Sequence, residues 1–207
     1  KGGKFCSIIN TEFPRYVFRA QYTPQCDQVL ECLNQEFDFV NSLPKNIRKY
    51  TRIKNLDPSN YDQRPWDYPS RYKDNFGSDI LYKPMSFYSV LQKSKLIVCT
   101  YPQTTFVESF VSGMPTILLY KSQYYELSND VEFLFKELKK SKIVFTDAKE
   151  ASLHVNKIWA NPLDWWNSNN LKNVKNLFFD VAVKINNNPV VEWKNFFYKE
   201  LKKINPV

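Results

Sequence analysis

The chain has 207 residues, enough for one domain with a main core and a tail, and 43% of them are hydrophobic and 16% aromatic, with four glycines. This composition excludes a disordered or repetitive protein, and the sequence shows no apolar run of about 18 residues to span a membrane and no signal-peptide pattern. The formal charge of +8 admits nucleic acid, anionic lipid or phosphorylated small molecules as partners.

The opening Lys1 to Lys4 runs almost directly into an apolar stretch, as expected of a chain that begins mid-protein. Phe5 to Asn10 reads as a buried strand entering a loop. Gln25 to Leu43 predicts an amphipathic helix: Val29, Leu30, Leu33, Phe37 and Val40 recur at helical spacing, and Pro44 stops the pattern. Ile47 to Leu56 reads as a second strand. Asp57 to Gly77, polar, aromatic and rich in proline, reads as a long irregular loop of the kind that often carries function.

Pro84 to Lys93 predicts a short helix, and Lys95 to Thr100 is the clearest buried strand, followed by a helix from about Thr105. Pro115 to Tyr120 and Ile143 to Thr146 are further apolar strands, separated by a helix through Tyr125 to Lys140. Such alternation calls for a Rossmann-like, doubly wound α/β domain with helices on both faces of a parallel sheet. Helices over Ala148 to Trp159, Asn170 to Ile185 and Val190 to Ile204 follow. The expected organisation is a ligand-binding domain over 1–160 and a helical extension over 161–207 packing on it.

Ligands in an open parallel sheet bind beyond the carboxyl ends of the strands, where helix starts present N–H groups. The segment Thr100 to Ser109, TYPQTTFVES, takes that position. Thr104 and Thr105 can offer hydroxyls and N–H groups to a phosphate, and Glu108 can accept from two sugar hydroxyls. Tyr101 and Gln103 share the rim. The pattern Thr105-x-x-Glu108 also satisfies a capping box, which would only start the helix. Arg52, read at the end of a strand, and Arg15, Arg19 and Arg71, read in loops, suit a diphosphate, whose oxygens fit the guanidinium fork; each could equally be an ion-pair residue.

Glu12 is a candidate catalytic base, against the simpler reading of a solvated loop carboxylate. His154 falls in a helix away from the strand ends, where packing is the expected role. Trp165 and Trp166 read as packing anchors rather than a sugar platform. Cys6, Cys26, Cys32 and Cys99 lack metal or redox spacing and read as reduced packing residues. No zinc-finger, RNP or helix-turn-helix signature is legible, so nucleic acid is not an expected partner, and Lys136, Lys139, Lys140 and Lys142 read as a solvated face.

Ser94 to Tyr120, SKLIVCTYPQTTFVESFVSGMPTILLY, resembles the donor-binding strand-helix-strand of GT-B glycosyltransferases. With NTEFPRY at Asn10 to Tyr16, Trp66 with Arg71, and LDWWNSNNLKNVKNLFF at Leu163 to Phe179, the chain resembles the C-terminal part of a transferase family from bacterial surface-polysaccharide and lipopolysaccharide O-antigen loci. That resemblance implies a nucleotide-sugar donor, a glycan or lipid-linked acceptor and an N-terminal domain absent here that supplies the base. It implies no cofactor and no catalytic metal, and a cytoplasmic setting, with peripheral contact at the inner face of the membrane at most. It adds weight to Arg52 and Arg71, and with Asn10 they join the expected nucleotide contacts. A nucleotide-sugar epimerase and a non-catalytic basic domain for anionic polymers are the alternatives.

Overall fold

The computed structural model describes residues 3–13, 15, 24–55, 66–183 and 188–204. Strand β1 (Phe5–Ile9) leads into helix α1 (Asp27–Ser42), which ends before Pro44 as its apolar spacing predicts. Pro44 then begins a short helix, α2 (Lys45–Arg48), in place of the start of a strand. Arg48 Nη2 reaches back to the Leu43 carbonyl at 3.1 Å and satisfies the end of α1. Strand β2 (Thr51–Lys54) is therefore shorter than expected and begins later.

The Asp57 to Gly77 expectation is corrected over its second half, which is helix α3 (Tyr68–Phe76). Asp67 accepts a bond from the Ser70 amide at 3.3 Å, Pro69 stands in the first turn, and Gly77 ends the helix at φ +81°. Tyr68 and Tyr72, one turn apart, are both buried, and this burial decides between loop and helix. Residues 56–65 lie outside the described residues.

Helix α4 (Phe87–Lys93) is capped by Ser86 and runs into β3 (Ser94–Cys99). Then come α5 (Thr104–Val111), β4 (Thr116–Leu119), α6 (Asn129–Lys140), β5 (Val144–Phe145), α7 (Ala148–Ile158), α8 (Pro162–Trp166), α9 (Asn169–Ala182) and α10 (Pro189–Ile204). The strands are parallel, in the order β2-β1-β3-β4-β5. The fold is α/β, Rossmann-like and doubly wound.

Both faces of the sheet are covered, which is why each strand is apolar throughout. Cys6, Ile8, Leu96, Val98, Ile117 and Leu119 pack with α1, α3 and α7 on one face. Ile9, Ile97, Cys99 and Leu118 pack with α4, α5, α6, α8 and α9 on the other. Trp166 and Phe178 bury fully in this second core, so α8 and α9 are continuous with it. No residue of α10 is buried. No helix among the described residues is long and apolar enough to cross a membrane.

Candidate ligand site at the strand reversal

From β1 the chain moves outward to β2, then returns past β1 to β3 and continues outward to β4 and β5. Loops leaving β1 and β3 therefore diverge to opposite faces, and a crevice opens between their carboxyl ends. Ile9 stands opposite Cys99, so the two ends are level. Thr100 N–H donates to the Ile9 carbonyl at 3.1 Å, and Asn10 N–H to the Lys54 carbonyl at 3.2 Å.

The β1 side of the crevice is a buried polar network. Asn10, 2% exposed, donates through Nδ2 to Glu36 Oε2 at 3.1 Å and to the Tyr72 hydroxyl at 3.2 Å. Tyr72 also donates to Glu36 Oε2, and the Thr100 hydroxyl, which donates to the Ile9 carbonyl at 3.4 Å, lies near enough to the same carboxylate to favour its charged form. Burial raises Glu36 to about 7, against the opposing pull of these donors. Burial and the neighbouring Glu36 charge push the Tyr72 hydroxyl well above its usual range. Asn10 Oδ1 is buried and makes no hydrogen bond among the described residues.

Glu12 is not the solvated loop carboxylate that its sequence position suggests. It is 8% exposed, and its two oxygens accept from the Tyr68 backbone amide and from Asn55 Nδ2, each at 3.1 Å. It thereby ties the end of β1 to the start of α3 and the exit of β2. Arg71 and Arg15 both meet Trp66: Arg71 Nε donates to the Trp66 carbonyl at 2.8 Å, and the Arg15 guanidinium lies 5.2 Å from the Trp66 ring centroid. Arg71 is on α3 rather than in a loop. Arg19 lies outside the described residues.

On the β3 side, α5 begins one residue earlier than expected and is not started by a capping box. Gln103 is the N-cap, without a side-chain cap bond, and the Thr105 hydroxyl pairs with the Tyr101 hydroxyl at 2.7 Å. The backbone N–H groups of Thr104 and Thr105 carry no partner among the described residues. Thr104 and Glu108, one turn apart, are both exposed and share a face. Behind them Phe110 stacks on Phe178 at 3.9 Å between centroids and meets Trp166 edge-on, which fixes the helix. Ser109 Oγ bonds the Thr105 carbonyl at 2.7 Å.

Arg52 is not brought to this edge. Because β2 starts at Thr51, Arg52 is near its amino end; the guanidinium donates to the Lys49 and Thr51 carbonyls at 3.0 and 2.7 Å and lies over Phe5. It lines a cleft of about 570 Å³ with Arg48 and Asp79, on the far side from Thr105. His154 packs between Phe145 and Trp165, and burial lowers it to about 4. Cys6, Cys32 and Cys99 are buried thiols, each pushed up to about 12 by burial, and Cys26 is exposed. Lys136 and Lys140 make exposed ion pairs with Glu132 and Glu137 on α6, worth about 0–1 kcal/mol each.

Glu36 is the residue that sequence reasoning passed over. It lies on the same stripe of α1 as Val29, Leu33 and Val40, and a charged residue on an apolar stripe was the available signal.

A family model described as "LIC12162 family transferase" matches residues 2–197. Comparison with curated proteins gives no match.

Proposed function

The chain belongs to the LIC12162 family of transferases, and on that premise we propose that it binds a nucleotide-sugar donor in the crevice between β1 and β3, as the donor half of a GT-B glycosyltransferase acting on a surface glycan. The observation that carries the reading is the strand reversal itself, with the unpartnered first-turn amides of α5 beside it. A phosphate there meets N–H donors and the positive end of a helix dipole. Thr104 and Thr105 hold the phosphate, with Gln103 and Tyr101 on the rim, and Glu108 accepts from the ribose hydroxyls. Arg15 and Arg71, which meet at Trp66 across the crevice, offset the charge of the leaving nucleotide.

Each oxygen of Glu12 already accepts a bond, so Glu12 positions α3 in this scheme, and the base comes from outside the described residues. No cofactor takes part; the nucleotide sugar is itself the donor substrate.

Isothermal calorimetry with UDP-, GDP- and CMP-sugars tests the reading. Binding by one nucleotide class is expected, and indifference to all of them contradicts it. Release of free sugar epimers without an acceptor would favour the epimerase alternative. Salt-sensitive binding to anionic polymers, with none to nucleotides, would favour the basic-domain alternative.

A further inference from the structure

Glu36 is bonded to Asn10 at the end of β1 and lies near Thr100 at the end of β3, the two strand ends that form the crevice. It stands on α1 and faces Cys32 from its own helix, Tyr68 and Tyr72 from α3, Tyr125 from the segment after β4, Asn10 at the end of β1 and Thr100 at the end of β3. None of these partners is basic, and among the described residues no lysine or arginine contributes to holding its charge. The carboxylate is 4% exposed and is stabilised only by hydroxyl and amide donors.

We propose that Glu36 is a positioning residue of the ligand site, fixing the carboxyl end of β1 through Asn10, next to the Ile9 carbonyl to which Thr100 at the end of β3 is bonded, and altering that hold when it gains or loses its proton. This rests on the reading of the β1–β3 crevice as the ligand site.

The chemistry follows from donor and acceptor counts. Ionised, Glu36 only accepts, and it takes bonds from Asn10 Nδ2 and from Tyr72, while the nearby Thr100 hydroxyl donates to the Ile9 carbonyl. Protonated, it has one O–H to donate, and among its partners Asn10 Oδ1 is the acceptor that lacks a bond. Rotation of the Asn10 amide by half a turn presents that oxygen to the acid, so the proton on Glu36 and the orientation of Asn10 are coupled. Asn10 and Thr100 are the first residues beyond their strands, and the change is delivered to the crevice. Near neutral pH both forms are populated.

The test is a pH titration of the isotopically labelled 207-residue chain by NMR. It follows the Glu36 side-chain carboxyl carbon, the Asn10 side-chain amide and the Thr100 backbone amide. In wild type the three are expected to move together with one midpoint near neutrality, and in Glu36→Gln the Asn10 and Thr100 signals are expected to stay flat. A Glu36 carboxyl that titrates alone, or Asn10 and Thr100 signals that titrate equally in Glu36→Gln, overturns the proposal. The wild-type titration decides even if the variant does not fold.

A second arm measures affinity for UDP-, GDP- and CMP-sugars on either side of the midpoint. A change of about threefold or more in wild type, absent in Glu36→Gln, is expected; nucleotide binding with no such change overturns the positioning role. If no nucleotide sugar binds at any pH, the donor reading fails, while the titration still decides the part played by Glu36.

Discussion

Thr105 and Glu108 face different demands although three positions separate them on one helix. The Thr105 hydroxyl is engaged by Tyr101, whereas the Glu108 carboxylate is exposed beside Thr104. Thr105→Val should therefore cost about 0.5–1.5 kcal/mol of stability and weaken nucleotide binding. Glu108→Gln should leave stability within about 0.5 kcal/mol and lower affinity on its own, as paired melting and calorimetry would reveal. A fall in melting temperature for Glu108→Gln with unchanged affinity would return it to a purely structural part. Glu36 makes a separate prediction. Its pKa in the folded chain, about 7, lies above the ordinary glutamate value of 4.5, so the folded state keeps a proton that the unfolded state gives up. That contribution is complete below pH 4.5 and is lost as pH rises to about 7, by up to ~3 kcal/mol. His154 has the opposite sign: lowered from 6.5 to about 4, it withholds stability as pH falls through that window. Melts across pH should show Glu36→Gln removing the loss on the alkaline side and leaving the acid limb of His154. At this scale the placement of Asn10 directly after β1, and of Thr104 and Thr105 at the start of the helix after β3, was legible because both strands are continuous apolar runs. Arg52 misled because its strand was read as starting at Ile47, which moved the guanidinium to the wrong end of the sheet.

Among the elements, α3 and α5 hold the two walls of the crevice and differ in what anchors them. Helix α3 depends on the Asp67 cap and on two buried tyrosines, so Asp67→Ala should cost about 1 kcal/mol, read by chemical denaturation. Helix α5 depends on the aromatic cluster of Phe106, Phe110, Phe178 and Trp166, and Phe110→Ala should cost about 3–5 kcal/mol. A Phe110→Ala cost below 1 kcal/mol would mean that the start of α5 is held by something other than this cluster. Strands β3 and β4 were readable as continuous apolar runs because two covered faces leave no room for alternation. Helix α3 was not, because its prolines and polar residues resemble a loop, and the cue for a helix, Asp67 capping Ser70 with Tyr68 and Tyr72 one turn apart, depends on which tyrosines are buried. The Trp165 and Trp166 pair was legible as packing, and Trp166 is indeed fully buried against Phe110.

For the whole molecule, one topological fact organises the rest: the sheet order reverses between β1 and β3, and the two halves of the proposed site come from opposite sides of that reversal. Asn10, Glu12, Arg15 and Arg71 belong to one half, and Tyr101, Gln103, Thr104, Thr105 and Glu108 to the other. Strand order is invisible in a string of residues, since alternating strands and helices fit several parallel arrangements. The doubly wound class was therefore legible, and the location of the crevice was not. The cationic cleft around Arg48 and Arg52 lies at the amino edge of the same sheet, which makes the two edges distinguishable by experiment. The most direct measurement maps backbone amide shifts of the labelled chain as a UDP-, GDP- or CMP-sugar is added. The account predicts that the largest changes centre on Thr104, Thr105 and the residues from Asn10 to Glu12, with Lys49 and Arg52 unmoved; changes centred on Lys49 and Arg52 instead would contradict it.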